Sequence, residues 1–272
     1  MVMRLDKFLA HAGLGTRSEV KKIIRSGRVL LNGVVAKRPE DKVDEGMEVL
    51  LDGKIVSYAV SEYYMLNKPK GVVSASRDKD AKTVVDYITC PHAKDLFPAG
   101  RLDKDTEGLL LLTNDGPLAH ELLSPKKHVE KVYQVWVEGM VTAEDQKLFG
   151  EGLDIGDGKK TRPAKLEKIS YYDGEGRLLD FDGFEAGSAE IDNLEKPEEN
   201  RICQTRLEIT ITEGRYHQIK RMFGKVGKSV QYLRRVSMGN LVLDEGLEPG
   251  GYRSLTEEEI FGLKNFQKNL TF

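Results

Sequence analysis

The run Leu109-Leu110-Leu111-Leu112 follows without a break on a loop dense in charge, Gly100-Arg101-Leu102-Asp103-Lys104-Asp105-Thr106-Glu107-Gly108, and this junction constrains the fold more than any other feature. A short bounded apolar run reads as a buried strand. The chain must therefore build a core that covers it, which 272 residues permit without disulfide or metal staples. A loop that sets carboxylates, cations and two glycines against such a strand is a place where one acid can be held rigid and partly desolvated. The same residues would also serve as a turn with surface ion pairs. Asp103 and Asp105 stand too close along the chain to flank a sugar as an acid–base pair, so a glycosidase reading has little support.

Beyond this strand, Asn114-Asp115-Gly116 reads as a turn, and Pro117 opens a helix over Leu118–Leu123 that Pro125 stops. Lys131–Val137 and Arg206–Thr212 read as strands, the second with Leu207, Ile209 and Ile211 on one face. Arg215–Val226 reads as a helix with Tyr216, Ile219, Met222, Phe223 and Val226 inward. No phosphate-binding glycine fingerprint or regular βαβ alternation is present. The expected class is α+β, with a mixed, mainly antiparallel sheet and flanking helices.

The first 60 residues form a separate module. Leu5, Phe8 and Leu9 mark a first helix that Gly13 can end, and Thr16 with Glu19 forms a capping-box pattern ahead of Val20, Ile23 and Ile24. Arg17, Lys21, Arg25 and Arg28 fall on one face of the second helix and its C-terminal end. Asn32-Gly33 between β-formers then signals a tight hairpin. A linker is expected around residues 55–62.

The net charge of −2 argues against a nucleic-acid partner only until it is resolved along the chain. Residues 1–38 and residues 201–240 each carry a net +7, while residues 171–200 carry −8. Two separated basic segments are the footprint of a polyanion binder, although solvated helix faces would also account for them. The stretch 182–199 is acidic and poor in large apolar residues, as expected of an exposed insertion. The amphipathic N-terminus and the lack of any apolar run of about 18 residues point to a cytoplasmic protein without a membrane span. Cys90 and Cys203 match no disulfide framework or metal cluster, and the histidines His11, His92, His120 and His128 lack ligand spacing, so no metal is expected.

Residues 3–54 resemble the S4 RNA-binding domain, through Met3-Arg4-Leu5-Asp6-Lys7-Phe8-Leu9, Ser18-Glu19-Val20, Val34 and Val35. Gly100, Arg101, Leu102, Asp103, Thr106 and Gly108 resemble the catalytic motif of the ribosomal small-subunit pseudouridine synthase A (RsuA) family. The family's further motifs follow in order: Leu66–Gly71, Lys131-Val132-Tyr133, Glu213–Met222, Leu233-x-Arg235 and Pro249–Thr256. The resemblance implies an S4-like domain over 1–60 and a catalytic domain over 61–272 that isomerises a uridine of ribosomal RNA. The wording Glu-Gly-Arg-Tyr-His-Gln favours 16S over 23S rRNA, and the resemblance implies uridine 516 in standard bacterial numbering as the target. A non-catalytic RNA-binding or ribosome-assembly protein is the alternative from another class.

The resemblance also implies roles. Asp103 is the catalytic carboxylate, acting as nucleophile or through a glycal route, and Lys220 is the fixed cation that keeps it ionised and oriented. Tyr133 stacks on the target base and can serve in proton transfer. Arg101 fills the gap left by the flipped base or holds a flanking phosphate, and Leu233 lines the uracil pocket. Asn67, Lys68 and Lys70 are expected at the site rim and on phosphates, and His217, Arg221 and Arg235 on RNA, together with the Arg17, Lys21, Arg25, Arg28 stripe. The chemistry needs no cofactor. The expected partner is rRNA, as naked RNA or within a small-subunit assembly intermediate, and the protein is expected to act as a monomer.

Overall fold

A computed structural model describes residues 3–44, 46–56, 61–90, 93–179 and 203–266. The chain divides into two compact units, Met1–Ser61 and Glu62–Phe272. The acidic stretch 182–199 lies outside the described residues.

In the smaller unit, β1 (Met3–Arg4) leads into α1 (Leu5–His11) and α2 (Arg17–Arg25), followed by β2 (Val29–Leu31), β3 (Val34–Val35), β4 (Lys42–Val43), β5 (Val49–Leu51) and β6 (Lys54–Ile55). The expected capping box is formed: the Thr16 backbone N–H donates to Glu19 Oε2 at 2.7 Å, and the Glu19 N–H to Thr16 Oγ1 at 3.3 Å. At the Asn32-Gly33 turn both residues take positive φ, 48° and 79°, the mirror-image turn whose twist suits a two-residue hairpin. Antiparallel strands in the order β3-β2-β5-β6 and both helices enclose Leu5, Leu9, Val20, Ile24, Val29 and Val49. The basic stripe is narrower than its spacing implies. Arg17 and Arg25 are exposed, but Lys21 faces the buried Asp6 at 3.9 Å, and Arg28 lies past the helix end in a forked pair with Asp52. β6 ends at Ile55 and the next strand starts at Tyr63, so the segment between them, 56–62, begins one residue later than the expected linker of 55–62.

The larger unit contains β7 (Tyr63–Lys68), β8 (Phe97–Pro98), β9 (Glu107–Thr113), α3 (Gly116–Leu123), β10 (Lys131–Glu138), α4 (Ala143–Glu151), β11 (Lys165–Tyr172) and β12 (Leu178–Leu179). Then come β13 (Gln204–Ile211), α5 (Gln218–Lys225), β14 (Val230–Met238), β15 (Leu241–Val242), β16 (Tyr252–Ser254) and α6 (Glu257–Asn265). One sheet runs in the order β12-β11-β13-β10-β14-β9-β7-β16, with β15 on β14 and β8 on β9. Every pairing is antiparallel except β14 with β9, which makes the sheet mixed as expected.

The four leucines now have a physical explanation. Leu110 and Leu112 enter one core with Leu66, Val135, Phe149, Ile209 and Phe223, while Leu109 and Leu111 enter a second with Met65, Leu118, Leu122, Met238 and Leu263. Successive strand side chains point to opposite faces, so a strand covered on both sides needs an unbroken apolar run. Strand β10 lies toward the other side of the sheet and alternates instead: Tyr133, Val135 and Val137 are buried, while Gln134 and Glu138 are exposed. At the parallel join the β9 and β14 backbones meet at Gly108, where an added Cβ would lie 2.2 Å from the Arg235 carbonyl oxygen. Only glycine fits there, and its φ of 96° excludes other residues on a second count. That glycine closes the catalytic-type motif.

Helix α5 departs from the sequence reading. It starts at Gln218 because His217 adopts a left-handed conformation (φ 49°, ψ 35°), which turns Tyr216 out to 76% exposure instead of into the core.

Candidate active site

The loop carrying Asp103 is held from beneath by the last residue of β7 and the segment that follows it. Lys68 is fully buried, and its ammonium donates to the carbonyl oxygens of Thr106 (2.8 Å), Pro69 (3.1 Å) and Lys104 (3.3 Å). The Gly71 N–H donates to the Lys104 carbonyl at 2.7 Å. Ser74 Oγ donates to the Leu102 carbonyl at 2.8 Å and accepts from the Leu102 N–H at 3.1 Å, fixing the residue before Asp103. Within the loop the Thr106 N–H bonds back to the Asp103 carbonyl at 3.1 Å. A buried charge satisfied this way costs desolvation, and burial pushes the Lys68 amine down to about 8 against the pull of Asp105, Glu107 and Asp103.

Asp103 meets α5 across the cleft. Lys220 Nζ lies 3.2 Å from Asp103 Oδ2 and 2.5 Å from Asp105 Oδ1, so one ammonium serves two carboxylates. Burial works against the charge on Lys220, but its bonds to Asp105 and then Asp103 outweigh it and raise the pKa; the same bond holds Asp105 below the usual carboxylate range. His217 Nε2 stands 3.6 Å from Asp103 Oδ1, too long for a hydrogen bond. The turn ahead of α5 is braced by Gln218, which accepts from the Arg215 N–H at 2.9 Å and donates to Glu213 at 3.0 Å. Arg215 is itself clamped to Asp157 and to the Lys159 carbonyl.

These elements border a cleft of about 580 Å³. The structure brings Arg101, Asp103, Tyr133, His217, Lys220, Leu233 and Arg235 to its walls. Four expected site residues are elsewhere. Lys70 is exposed outside the cleft lining. Asn67 is buried and donates to the Leu247 carbonyl at 2.6 Å, tying β7 to the turn before β16, so it is no rim or phosphate contact. Lys68 is excluded from phosphates because its ammonium lies inside the protein under the loop. Arg221 spends its guanidinium on the carbonyls of Ile155 and Tyr216, holding the 154–160 turn against α5 instead of reaching for RNA. Arg235 lies on the cleft wall but is 2% exposed, bonded to the Leu109 carbonyl at 2.8 Å, and so cannot reach a surface phosphate. Sequence reasoning passed over Ser74, Gln218 and the sharing of Lys220 by Asp105, because single polar residues acquire such roles only through tertiary partners.

A carboxylate on a loop bracketed by a buried lysine and paired with an ammonium, in a cleft of about 580 Å³ that a tyrosine and a leucine also line, is suited to chemistry at a ribose beside a displaced base. Following in sequence on a unit that resembles an RNA-binding module, it points to an RNA-modifying enzyme. Residues 62–225 match the model of RNA pseudouridylate synthases, and residues 3–49 that of the S4 domain. The chain is 46% identical to an RNA pseudouridine synthase of Bacillus subtilis over 95% of its length and 97% of the relative's. It is 37% identical to ribosomal small subunit pseudouridine synthase A of Escherichia coli, over 95% and 98%. A crystal structure of a pseudouridylate synthase superposes with a TM-score of 0.61 at 36% identity, covering 96% of this chain and 99% of the other. The chain belongs to the RsuA family of RNA pseudouridine synthases, with an N-terminal S4 domain, and is an isomerase.

Proposed function

We propose that the protein isomerises one uridine of 16S rRNA, uridine 516 in standard bacterial numbering, with Asp103 as the catalytic carboxylate. The observation that carries this reading is the Asp103–Lys220 pair at 3.2 Å on a cleft lined by Tyr133 and Leu233. Isomerisation breaks the C1′–N1 bond, turns the base and joins C5 to C1′, with loss of the C5 proton. Asp103 meets the ribose, either as nucleophile or by promoting elimination. Lys220 orients it. Tyr133, on the strand bordering the cleft, stacks on the base and is placed for proton transfer, Leu233 closes the apolar side, and Arg101 at the exposed mouth takes a flanking phosphate or the gap in the stack. His217 contacts RNA at the rim.

The choice of 16S rests on the Glu213-Gly214-Arg215-Tyr216-His217-Gln218 motif and on full-length relatives named for the small subunit. Residues 1–60 form the docking module, with Arg17 and Arg25 as the open cations of its helical stripe, residues 61–272 form the catalytic domain, and the protein works as a cytoplasmic monomer on rRNA or a small-subunit assembly intermediate. Tritium release from 5-tritiated uridine tests the reading with 16S and 23S transcripts and their assembly intermediates. Release from a 16S substrate alone supports it, and release from 23S alone moves the enzyme to the large subunit.

A further inference from the structure

The cleft holds two buried cations that the mechanism above does not use. Arg235 and Lys131 are 2% and 5% exposed, both line the cleft, and neither forms an ion pair with a described carboxylate. Arg235 is the cross-strand partner of Tyr133, and Lys131 precedes Tyr133 by two residues on the same face of β10. Leu233 precedes Arg235 by two residues in turn. The two cations therefore lie beneath the place where the base is to be held. The Arg235 Nε donates to the Leu109 carbonyl, which fixes the guanidinium, and its Nη2 is buried with no hydrogen-bond partner. Lys131 donates to the Val129 carbonyl at 2.9 Å. Burial, with Arg235 adding repulsion, pushes the Lys131 amine down to about 8. Among the described residues, the second buried polar side-chain atom without a hydrogen-bond partner, Thr106 Oγ1, belongs to a residue lining the same cleft.

Two like charges buried together with an open donor are costly unless a ligand completes them. The reaction supplies such a ligand. When the C1′–N1 bond breaks, its electron pair leaves with the base, and the negative charge spreads over N1 and the two carbonyl oxygens of uracil. The electron deficit at C1′ is met by the Asp103 carboxylate, which leaves again when C5 bonds C1′, or by loss of the C2′ proton, which is returned to C2′ as that bond forms. The C5 proton then departs and N1 takes up a proton. We propose that Lys131 and Arg235 form a cationic floor that binds the carbonyl oxygens of the detached uracil and stabilises its negative charge, with Thr106 Oγ1 accepting from the base N3–H. This rests on the isomerase reading and adds a place for the base during its turn. Donors fixed in advance where charge develops lower the barrier without uniform tightening of substrate binding.

The test is single-turnover consumption of the target nucleotide by wild type, Arg235→Gln and Lys131→Met, on transcripts carrying uridine or 5-fluorouridine at the target. Fluorine makes the base a better anion by itself, so it replaces part of what the floor supplies. Each variant is expected to lose about 10²-fold on uridine, at least tenfold less on 5-fluorouridine, with RNA affinity within threefold of wild type. An equal loss on both substrates would make the residues structural and overturn the proposal, as would no loss. Lys131→Met keeps the length and apolar stem of the side chain and carries the test alone if Arg235→Gln does not fold. A wild type that makes no pseudouridine overturns the isomerase reading, whereas an active wild type with substrate-indifferent variants overturns only the floor.

Discussion

Substituting Gly108→Ala tests the junction between fold and site. The new Cβ would stand 2.2 Å from the Arg235 carbonyl oxygen, 2.9 Å from its nitrogen and 2.8 Å from Arg234 Cγ, and two of these three atoms are backbone. The φ of 96° adds strain of about 1–2 kcal/mol, and overpacking at a site that cannot yield by a rotamer change adds about 1–3 kcal/mol. The sum is about 2–5 kcal/mol. For a domain of this size each kcal/mol shifts Tm by about 2–4 °C, so the larger unit should melt roughly 4–20 °C lower by circular dichroism. Separating β9 from β14 also moves Arg235 and Leu233 away from Asp103, and misplacement of about 1 Å costs about 10²-fold in rate. Gly150→Ala is the control, because Gly150 lies on the exposed face of α4 with nothing within 4 Å of an added Cβ, and it should stabilise by about 0.5–1 kcal/mol. A Gly108→Ala protein with unchanged Tm and activity would refute the argument that this glycine is fixed by the approach of β14.

Lys220→Met removes the ammonium shared by Asp103 and Asp105, and single-turnover isomerisation should fall by about 10²-fold or more while RNA binding by filter retention changes little; a fall below threefold would show that the pair does not serve the chemistry. Lys68 has a folded pKa of about 8, below its usual 10.5, so between about pH 8 and 10 the unfolded chain holds the extra proton and this group favours folding more as pH rises. In denaturant titrations the stability of wild type minus that of Lys68→Met should therefore increase from about pH 7 to about pH 9.5, and a flat difference would count against the buried, depressed amine. Each phosphate contact contributes about 0.7–0.9 to the slope of log affinity against log salt. Arg17→Ala with Arg25→Ala should thus lower that slope by about 1.4–1.8, and an unchanged slope would remove these two from the RNA interface.

Much of this architecture was legible in the sequence because local rules carried it. The Thr16/Glu19 capping box, the Asn32-Gly33 hairpin and the turn at Asn114–Gly116 with Pro117 opening a helix behind it depend on nearest neighbours alone, although the capping of that helix by Asp115 emerges only from the structure. The leucine run announced a buried strand, but that it feeds two cores follows only from what covers each face. The start of α5 was misplaced because apolar spacing carries no sign of the left-handed turn at His217. Lys68, Asn67 and Arg235 read as surface groups since such residues are rarely buried, and each is inside because main-chain carbonyls on distant segments accept its protons. Basic residues count toward the charge of a segment wherever they point, so the net +7 of residues 201–240 includes Arg215, Arg221 and Arg235, which are engaged within the protein.

The most direct test of Asp103-dependent isomerisation is carbodiimide–primer-extension mapping of rRNA from cells that lack the protein and are complemented with wild type or Asp103→Asn. One uridine stop in 16S rRNA should vanish without the protein, return with wild type and stay absent with Asp103→Asn expressed at equal level. Return of the stop with Asp103→Asn would contradict the account.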